Sequence, residues 1–99
     1  MGNNVKLNEY SYLYARSKAE ITIADNTTIS SYAKILTATY DLNKFLFEEK
    51  ENVDIHDDKS IYIGENCWIG LSSIILPGVK LSGRGIIVSA GAVVTKSFD

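Results

Sequence analysis

The chain is poor in the residues that mark several common classes of protein. It has one cysteine, one proline and one histidine in 99 residues, so it cannot build an internal disulfide framework. No apolar run approaches the roughly 18 residues of a membrane-spanning helix, and no basic, apolar leader begins the chain. The net charge of −2 offers no basic surface for nucleic acid. These absences favour one cytoplasmic domain over residues 1–99.

What the chain does contain is an aliphatic residue at every sixth position. The series is Ile63, Ile69, Ile75, Leu81, Ile87 and Val93. Four positions after each member lies a smaller residue: Cys67, Ser73, Val79, Gly85, Gly91 and Ser97. A helix repeats its apolar face at about 3.6 residues and a flat strand at about 2, whereas a period of six fits a coil that turns a corner on every repeat. The pattern predicts stacked triangular coils with the aliphatic residues pointing inward and Cys67 as a buried structural thiol.

A shorter run upstream keeps the same spacing, with Ile23, Ile29 and Ile35 as its aliphatic members. Ile35 and Ile63 are 28 positions apart, which is not a multiple of six, so the register breaks between them. The acidic stretch at about residues 41–60 is therefore predicted to leave the prism as a loop. The predicted fold is all-β, a parallel β-helix of about five coils of roughly 18 residues with one protruding loop.

Three segments carry a resemblance to a known family. They are residues 64–70 (GENCWIG), 76–79 (LPGV) and 90–96 (AGAVVTK). They closely resemble the hexapeptide-repeat acyltransferases, in the branch that O-acetylates sugars, polysaccharides and xenobiotics. The resemblance implies a left-handed parallel β-helix, a homotrimer with an active site at each subunit boundary, and acetyl-CoA as the acetyl donor.

The resemblance also implies a coenzyme A site. The matching positions are Trp68, Leu71, Ser72, Ala90, Gly91, Thr95 and Lys96. Backbone amides and small residues at Leu71, Ser72, Ala90 and Gly91 would contact the pantetheine arm. Thr95 and Lys96 would lie near the 3′-phosphate of coenzyme A, where a cationic side chain suits the negative charge. Trp68 lies outside the inward positions, so we predict that it faces outward, as an active-site wall, an interface aromatic or both. Lys96 also has a simpler interpretation as a solvated charge.

The sequence departs from the family at the catalytic base. Members use a histidine in a segment of the form Leu-Thr-x-x-His-Asp, and residues 36–41 (LTATYD) have Tyr40 in its place, followed by Asp41. A phenol with a pKa of about 10 is a weak base at neutral pH. The only histidine, His56, is an alternative base in the acidic loop, where Asp57 and its neighbours would favour the protonated imidazole.

Two functions of different class follow from these features. The first is an acetyl-CoA-dependent O-acetyltransferase that acts on a sugar or a similar hydroxyl, which the Trp68 segment and Thr95-Lys96 favour. The second is a catalytically degenerate trimeric β-helix that binds or assembles, which Tyr40 and an end at Asp99, short of the family's capping segment, favour. One histidine per chain cannot supply a three-histidine metal site at a subunit boundary, so no metal is expected.

Overall fold

The computed structural model describes residues 1–16, 18–40 and 56–98 of the chain. Three parallel sheets form the faces of a triangular prism. Face A contains β1 (Lys6–Leu7), β4 (Thr28–Ile29), β9 (Trp68–Ile69) and β12 (Ile87–Val88). Face B contains β2 (Tyr12–Tyr14), β5 (Lys34–Leu36), β10 (Ile74–Ile75) and β13 (Val93–Val94). Face C contains β3 (Ile21–Ile23), β8 (Ile61–Ile63) and β11 (Lys80–Leu81), and Phe98 continues it by a parallel bridge to Leu81.

The chain visits faces A, B and C in turn, so each circuit is one coil. The described residues build four such coils, where about five were predicted from the length, because part of the sequence leaves the prism. Strands of successive coils are paired in parallel, as in Thr28 with Trp68 and Ile29 with Ile69. The ladder bonds therefore run between coils and not within one.

The core of the prism is a set of columns of aliphatic side chains. The predicted inward residues Ile23, Ile29, Ile35, Ile63, Ile69, Ile75 and Leu81 are all buried. Between them lie buried polar groups whose hydrogen bonds are made. Thr27 Oγ1 donates to the Gly64 carbonyl at 2.7 Å, and Ser73 Oγ donates to the Gly70 carbonyl at 2.7 Å. Burial of apolar surface in the columns and parallel ladders between the coils hold the fold together.

The predicted register is wrong in the fourth coil. Ile87 and Val93 are 66% and 55% exposed, whereas Val88 and Val94 are 7% and 8% exposed. Val88 pairs with Ile69 and Val94 with Ile75, so the inward column continues one residue later than the strict six-residue period. The extra residue lies in the corner at residues 82–85 between β11 and β12. One inserted residue moves each later side chain to the opposite face of its strand.

The same shift changes the role of two predicted small partners. Gly85 and Gly91 occupy left-handed corner positions, with φ of 70° and 75°. Ile86 and Ala92, one residue later, pack against the core in their place.

The register difference has a direct test in paired alanine variants. Val88→Ala removes buried methyl groups and leaves a cavity, so we expect a loss of about 2 kcal/mol in the free energy of unfolding. Ile87→Ala changes an exposed side chain and should alter that free energy by less than about 0.5 kcal/mol. Urea unfolding followed by circular dichroism measures both values, and the reverse order would restore the strict six-residue register.

The corners turn through residues in the left-handed backbone region. Asn4, Asn26 and Asn66 have φ of 56°, 60° and 53° at successive levels of the corner between faces C and A. Asparagine tolerates this region better than most residues do. At the corner between faces A and B, Tyr10 and Tyr32 take the same conformation, with φ of 62° and 63°. At these two corners the first two coils therefore use asparagine and tyrosine where a repeat sequence would suggest glycine.

An antiparallel arm leaves the prism between faces B and C. Its base pairs β6 (Ala38–Tyr40) with β7 (His56–Asp58), and the Lys59 amide donates to the Thr37 carbonyl at 2.8 Å where the chain returns. The departure thus begins at residue 38 and ends by residue 59, against the predicted bounds of about 41 and 60. Residues 41–55 of the predicted loop lie outside the described residues.

Candidate functional site

Trp68 projects outward from face A, as predicted. Its side chain is 54% exposed, and the indole Nε1–H donates to Ser30 Oγ at 2.9 Å. Thr28 and Ile87 are its neighbours in the outward column of the same face. Ser30 was not predicted as a site residue, because 38 positions and the arm separate it from Trp68. The hydrogen bond fixes the indole across the second and third coils.

A groove of about 470 Å³ lies between Trp68 and the corner of faces A and B. Leu71 and Ala90 line it, together with the polar side chains of Asn8, Ser30, Ser31 and Ser89. The lining therefore combines apolar side chains with hydroxyl and amide groups. Such a lining suits a ligand with a hydrocarbon part and a few polar groups.

The corner between faces A and B brings four of the predicted cofactor residues together. The Ser72 amide donates to the Ser31 carbonyl at 3.1 Å, and the Gly91 amide donates to the Leu71 carbonyl at 2.8 Å, so these two donors serve the stacking of coils. Within the described parts of the chain, the Leu71 and Ala90 amides donate no hydrogen bond. Both residues are exposed and line the groove, and the stacking of coils leaves their amides as candidate donors for a ligand there.

Thr95 and Lys96 lie at a different corner, the one between faces B and C. They follow β13 of face B and precede Phe98 of face C. Both are exposed and line a second hollow of about 370 Å³, together with Phe98 and side chains of the fourth coil. The structure therefore does not bring them together with Trp68 and Leu71 within one chain.

The candidate bases also lie at the corner between faces B and C, at the root of the arm. In the antiparallel ladder, residue 40 is the direct partner of residue 56. The backbone therefore places His56, the only histidine of the chain, opposite Tyr40, which replaces the family's catalytic histidine. Asp41, the third candidate catalytic residue, lies outside the described residues.

The two groups of candidate residues are on opposite sides of face B. Six residues along the third coil separate Leu71 at one corner from Pro77 at the other. An extended segment of that length spans at most about 20 Å. A base at residue 40 or 56 and a ligand beside Trp68 therefore occupy different edges of the same prism.

The residues that the structure describes offer few groups for metal binding or for reactions of a thiol. No group of three or more His, Cys, Asp and Glu side chains there is placed to hold a metal ion. Cys67 is buried in the core, which confirms its predicted structural position. The described stretches contain no helix long and apolar enough to cross a membrane.

The stacked parallel coils with an outward groove define a β-helix built from six-residue repeats. The model of the hexapeptide repeat of succinyl-transferase matches residues 60–96. The chain therefore has the sequence repeat of the hexapeptide-repeat acyltransferases, and its fold is the left-handed parallel β-helix that the resemblance implied.

Relatives and solved structures agree with this assignment. A Schizosaccharomyces pombe protein assigned as an acetyltransferase is 41% identical over 80 residues, which cover 81% of this chain and 36% of that protein. A maltose O-acetyltransferase from Clostridium difficile 630 superposes with a TM-score of 0.69 and 28% identity, over 97% of this chain and 51% of that chain.

A mutant of AntD, an N-acyltransferase from Bacillus cereus solved with dTDP and coenzyme A, has a similar fold. Its TM-score is 0.74 at 23% identity, over 99% of this chain and 63% of that chain. At this identity the similarity concerns the fold alone. The chain therefore spans about a third of the length of the yeast relative and between half and two thirds of the two solved chains.

Proposed function

We propose that the protein transfers an acetyl group from acetyl-CoA to a hydroxyl group of a saccharide. In this reaction a base takes the proton of the acceptor hydroxyl, its oxygen attacks the thioester carbonyl, and coenzyme A leaves as the thiol after it gains a proton. The hexapeptide repeat and the similarity to a maltose O-acetyltransferase support the reaction class. Dependence on acetyl-CoA, an intracellular metabolite, supports action in the cytoplasm.

The observation that carries the proposal is the open corner beside Trp68. The unbonded amides of Leu71 and Ala90 suit the carbonyl groups of a pantetheine arm, and the apolar wall of the groove suits its methylene groups. The groove volume of about 470 Å³ falls within the usual range for small-molecule sites. Coenzyme A lies in the same fold in AntD, which supports this assignment.

We propose His56 as the general base. Residue 56 stands opposite residue 40, the position of the family's histidine, so its backbone is one strand away from the backbone that carries the base in the family. Neighbouring strands lie about 4.8 Å apart, a displacement that a side chain can span. Tyr40 then serves as a neighbour of the base, and Asp41 keeps the place of the acid that follows the histidine in the family.

We further propose a homotrimer in which two chains complete each site. Within one chain the groove beside Trp68 and the base at the arm lie at different edges of the prism. A threefold arrangement can place the arm corner of one chain against face A of the next, because a closed ring repeats one heterologous contact. The exposed apolar side chains Trp68 and Leu71 on and beside that face support a contact there.

Release of free thiol from acetyl-CoA tests the activity directly. The protein is mixed with acetyl-CoA and a panel of saccharides, and we expect thiol release that depends on both protein and saccharide. Coenzyme A alone should raise the melting temperature, since a ligand that binds only the folded state stabilises it. A rise in melting temperature without thiol release on any saccharide would contradict the enzymatic proposal and leave cofactor binding in place.

The degenerate binding module is the second candidate, and Tyr40 is the observation that favours it. If His56 does not act as the base, positioning of the two substrates is the remaining source of rate acceleration. Thiol release that is absent in the wild type and appears in Tyr40→His would support this second function, because the substitution restores the family's base at its usual position.

A further inference from the structure

The corner between faces A and B carries a stack of aromatic rings in its first two coils. Tyr10 and Tyr32 occupy equivalent places, since the Tyr32 amide donates to the Glu9 carbonyl at 3.3 Å from one coil to the next. Their ring centroids are 5.2 Å apart, and the ring planes differ by 16°. Both rings are exposed, so the stack stands on the outer surface of the prism.

The stack ends at the third coil although the backbone continues unchanged. Ser72 has a φ of 57° and its amide donates to the Ser31 carbonyl, so it repeats the position of Tyr32. Gly91 repeats it again in the fourth coil, where a Cβ atom would meet nothing within 4 Å. Coils are spaced by about 4.8 Å, which is enough for one ring per level. The Tyr32 ring, which is 52% exposed, therefore has one face covered by Tyr10 and no ring from Ser72 or Gly91 over the other face.

The chemistry around this open face fits a sugar ring. A pyranose ring has an apolar face of C–H groups that packs on an aromatic ring, and its hydroxyls can bond to the hydroxyls of Ser31 and Ser72. The residues at this corner are Glu9, Tyr10, Ser31, Tyr32, Leu71, Ser72, Ala90 and Gly91. None of them is a cation, so a nucleotide phosphate would have no charged partner here.

We propose that the open face of Tyr32 above Ser72 is a stacking subsite for a pyranose ring of the acceptor. The inference rests on the proposed transfer to a saccharide and adds the place where the acceptor is held. Ser31 lines the groove beside Trp68, so a ring on Tyr32 lies next to the proposed path of the pantetheine arm. The subsite therefore binds one sugar ring of the acceptor. It presents a hydroxyl group of that ring, or of the next ring in the saccharide, to the pantetheine arm.

The test is binding of maltotriose, measured by saturation-transfer NMR titration without any donor. Tyr32→Ala should weaken binding by about fivefold or more, and Tyr32→Phe should stay within about twofold of the wild type, because it keeps the ring face. Ser72→Tyr should add a third ring to the stack and remove measurable binding, because the new ring takes the place of the sugar on the open face of Tyr32. Tyr10 and Tyr32 show that a tyrosine fits this left-handed position.

Two matched controls distinguish a loss of the subsite from a general effect of removing an exposed tyrosine. Tyr10→Ala removes the ring that covers one face of Tyr32 and leaves the other, open face unchanged, so binding should stay within about twofold. Tyr62→Ala removes an exposed tyrosine of face C, 37% exposed, and should leave binding unchanged. Equal losses in Tyr32→Ala and Tyr62→Ala would overturn the proposal.

Further outcomes distinguish this proposal from the proposed function. Binding of maltotriose that survives in both Tyr32→Ala and Ser72→Tyr, absence of binding by the wild type, or binding of thymidine in its place would each overturn the subsite. The shift in melting temperature with coenzyme A is measured on the same variants. Saccharide binding that depends on Tyr32 in a protein with neither that shift nor thiol release would support the subsite and contradict the transferase.

Discussion

Gly70→Ala is expected to lower the free energy of unfolding by at least about 3 kcal/mol. A Cβ atom at this position would lie 2.4 Å from the Val88 carbonyl oxygen and 2.7 Å from the Ala90 amide nitrogen. Both contacts are with backbone of the next coil, so relief requires the coils to separate, and this weakens the parallel ladder. For a domain of this size we expect the melting temperature to fall by more than about 10 °C. Thermal unfolding followed by circular dichroism measures the change.

Gly91→Ala is the matched control. Its φ of 75° disfavours alanine, but a Cβ atom there would meet nothing within 4 Å. We expect a loss of about 1 kcal/mol from backbone strain alone. Gly91→Asn should cost less, since asparagine already occupies left-handed corners at Asn26 and Asn66. Equal melting temperatures for Gly70→Ala and Gly91→Ala would contradict the close approach of the coils at Gly70.

Most of the fold could be predicted because the repeat is local. Each aliphatic residue from Ile63 to Leu81 is buried by the same six-residue geometry, and the period alone reports that geometry. The position of Val88 could not be predicted in this way. Ile87 and Val88 are both aliphatic, so the sequence still has an aliphatic residue at the sixth position after Leu81. The extra residue before them nevertheless turns Ile87 outward and Val88 into the core.

The site was harder to predict than the fold because its contacts join distant parts of the sequence. The bond from Trp68 to Ser30 and the stack of Tyr10 on Tyr32 depend on which coil lies beside which. For Trp68 and Ser30 that register also depends on an arm whose length the repeat does not determine. The pairing of residue 40 with residue 56 has the same origin, since it follows from how the arm returns to the prism. The sequence singles out Trp68 and His56 by residue type, but it does not indicate which residues lie beside them in the fold.

His56→Ala is expected to reduce kcat by at least about 100-fold. A positioned base contributes roughly 100-fold to 10,000-fold to proton transfer, and the chain has no other histidine to replace it. Tyr40→Phe keeps the ring at the opposite ladder position and should retain kcat within about threefold, because the proposed base is unchanged. Thiol release under saturating acetyl-CoA and saccharide measures both variants. Loss in Tyr40→Phe with retention in His56→Ala would instead assign the base to the tyrosine.

Mixing two inactive variants tests whether the halves of the site come from different chains. Trp68→Ala keeps the base and impairs the groove, whereas His56→Ala keeps the groove and lacks the base. If a site takes its base from one chain and its groove from the next, random trimers from an equal mixture contain about a quarter of intact sites. Thiol release should then recover to about that fraction after unfolding and joint refolding, but not when the variants are refolded apart. No recovery in trimers that native mass spectrometry shows to contain both variants would mean that each chain holds a complete site, contrary to the separation of the two corners across face B.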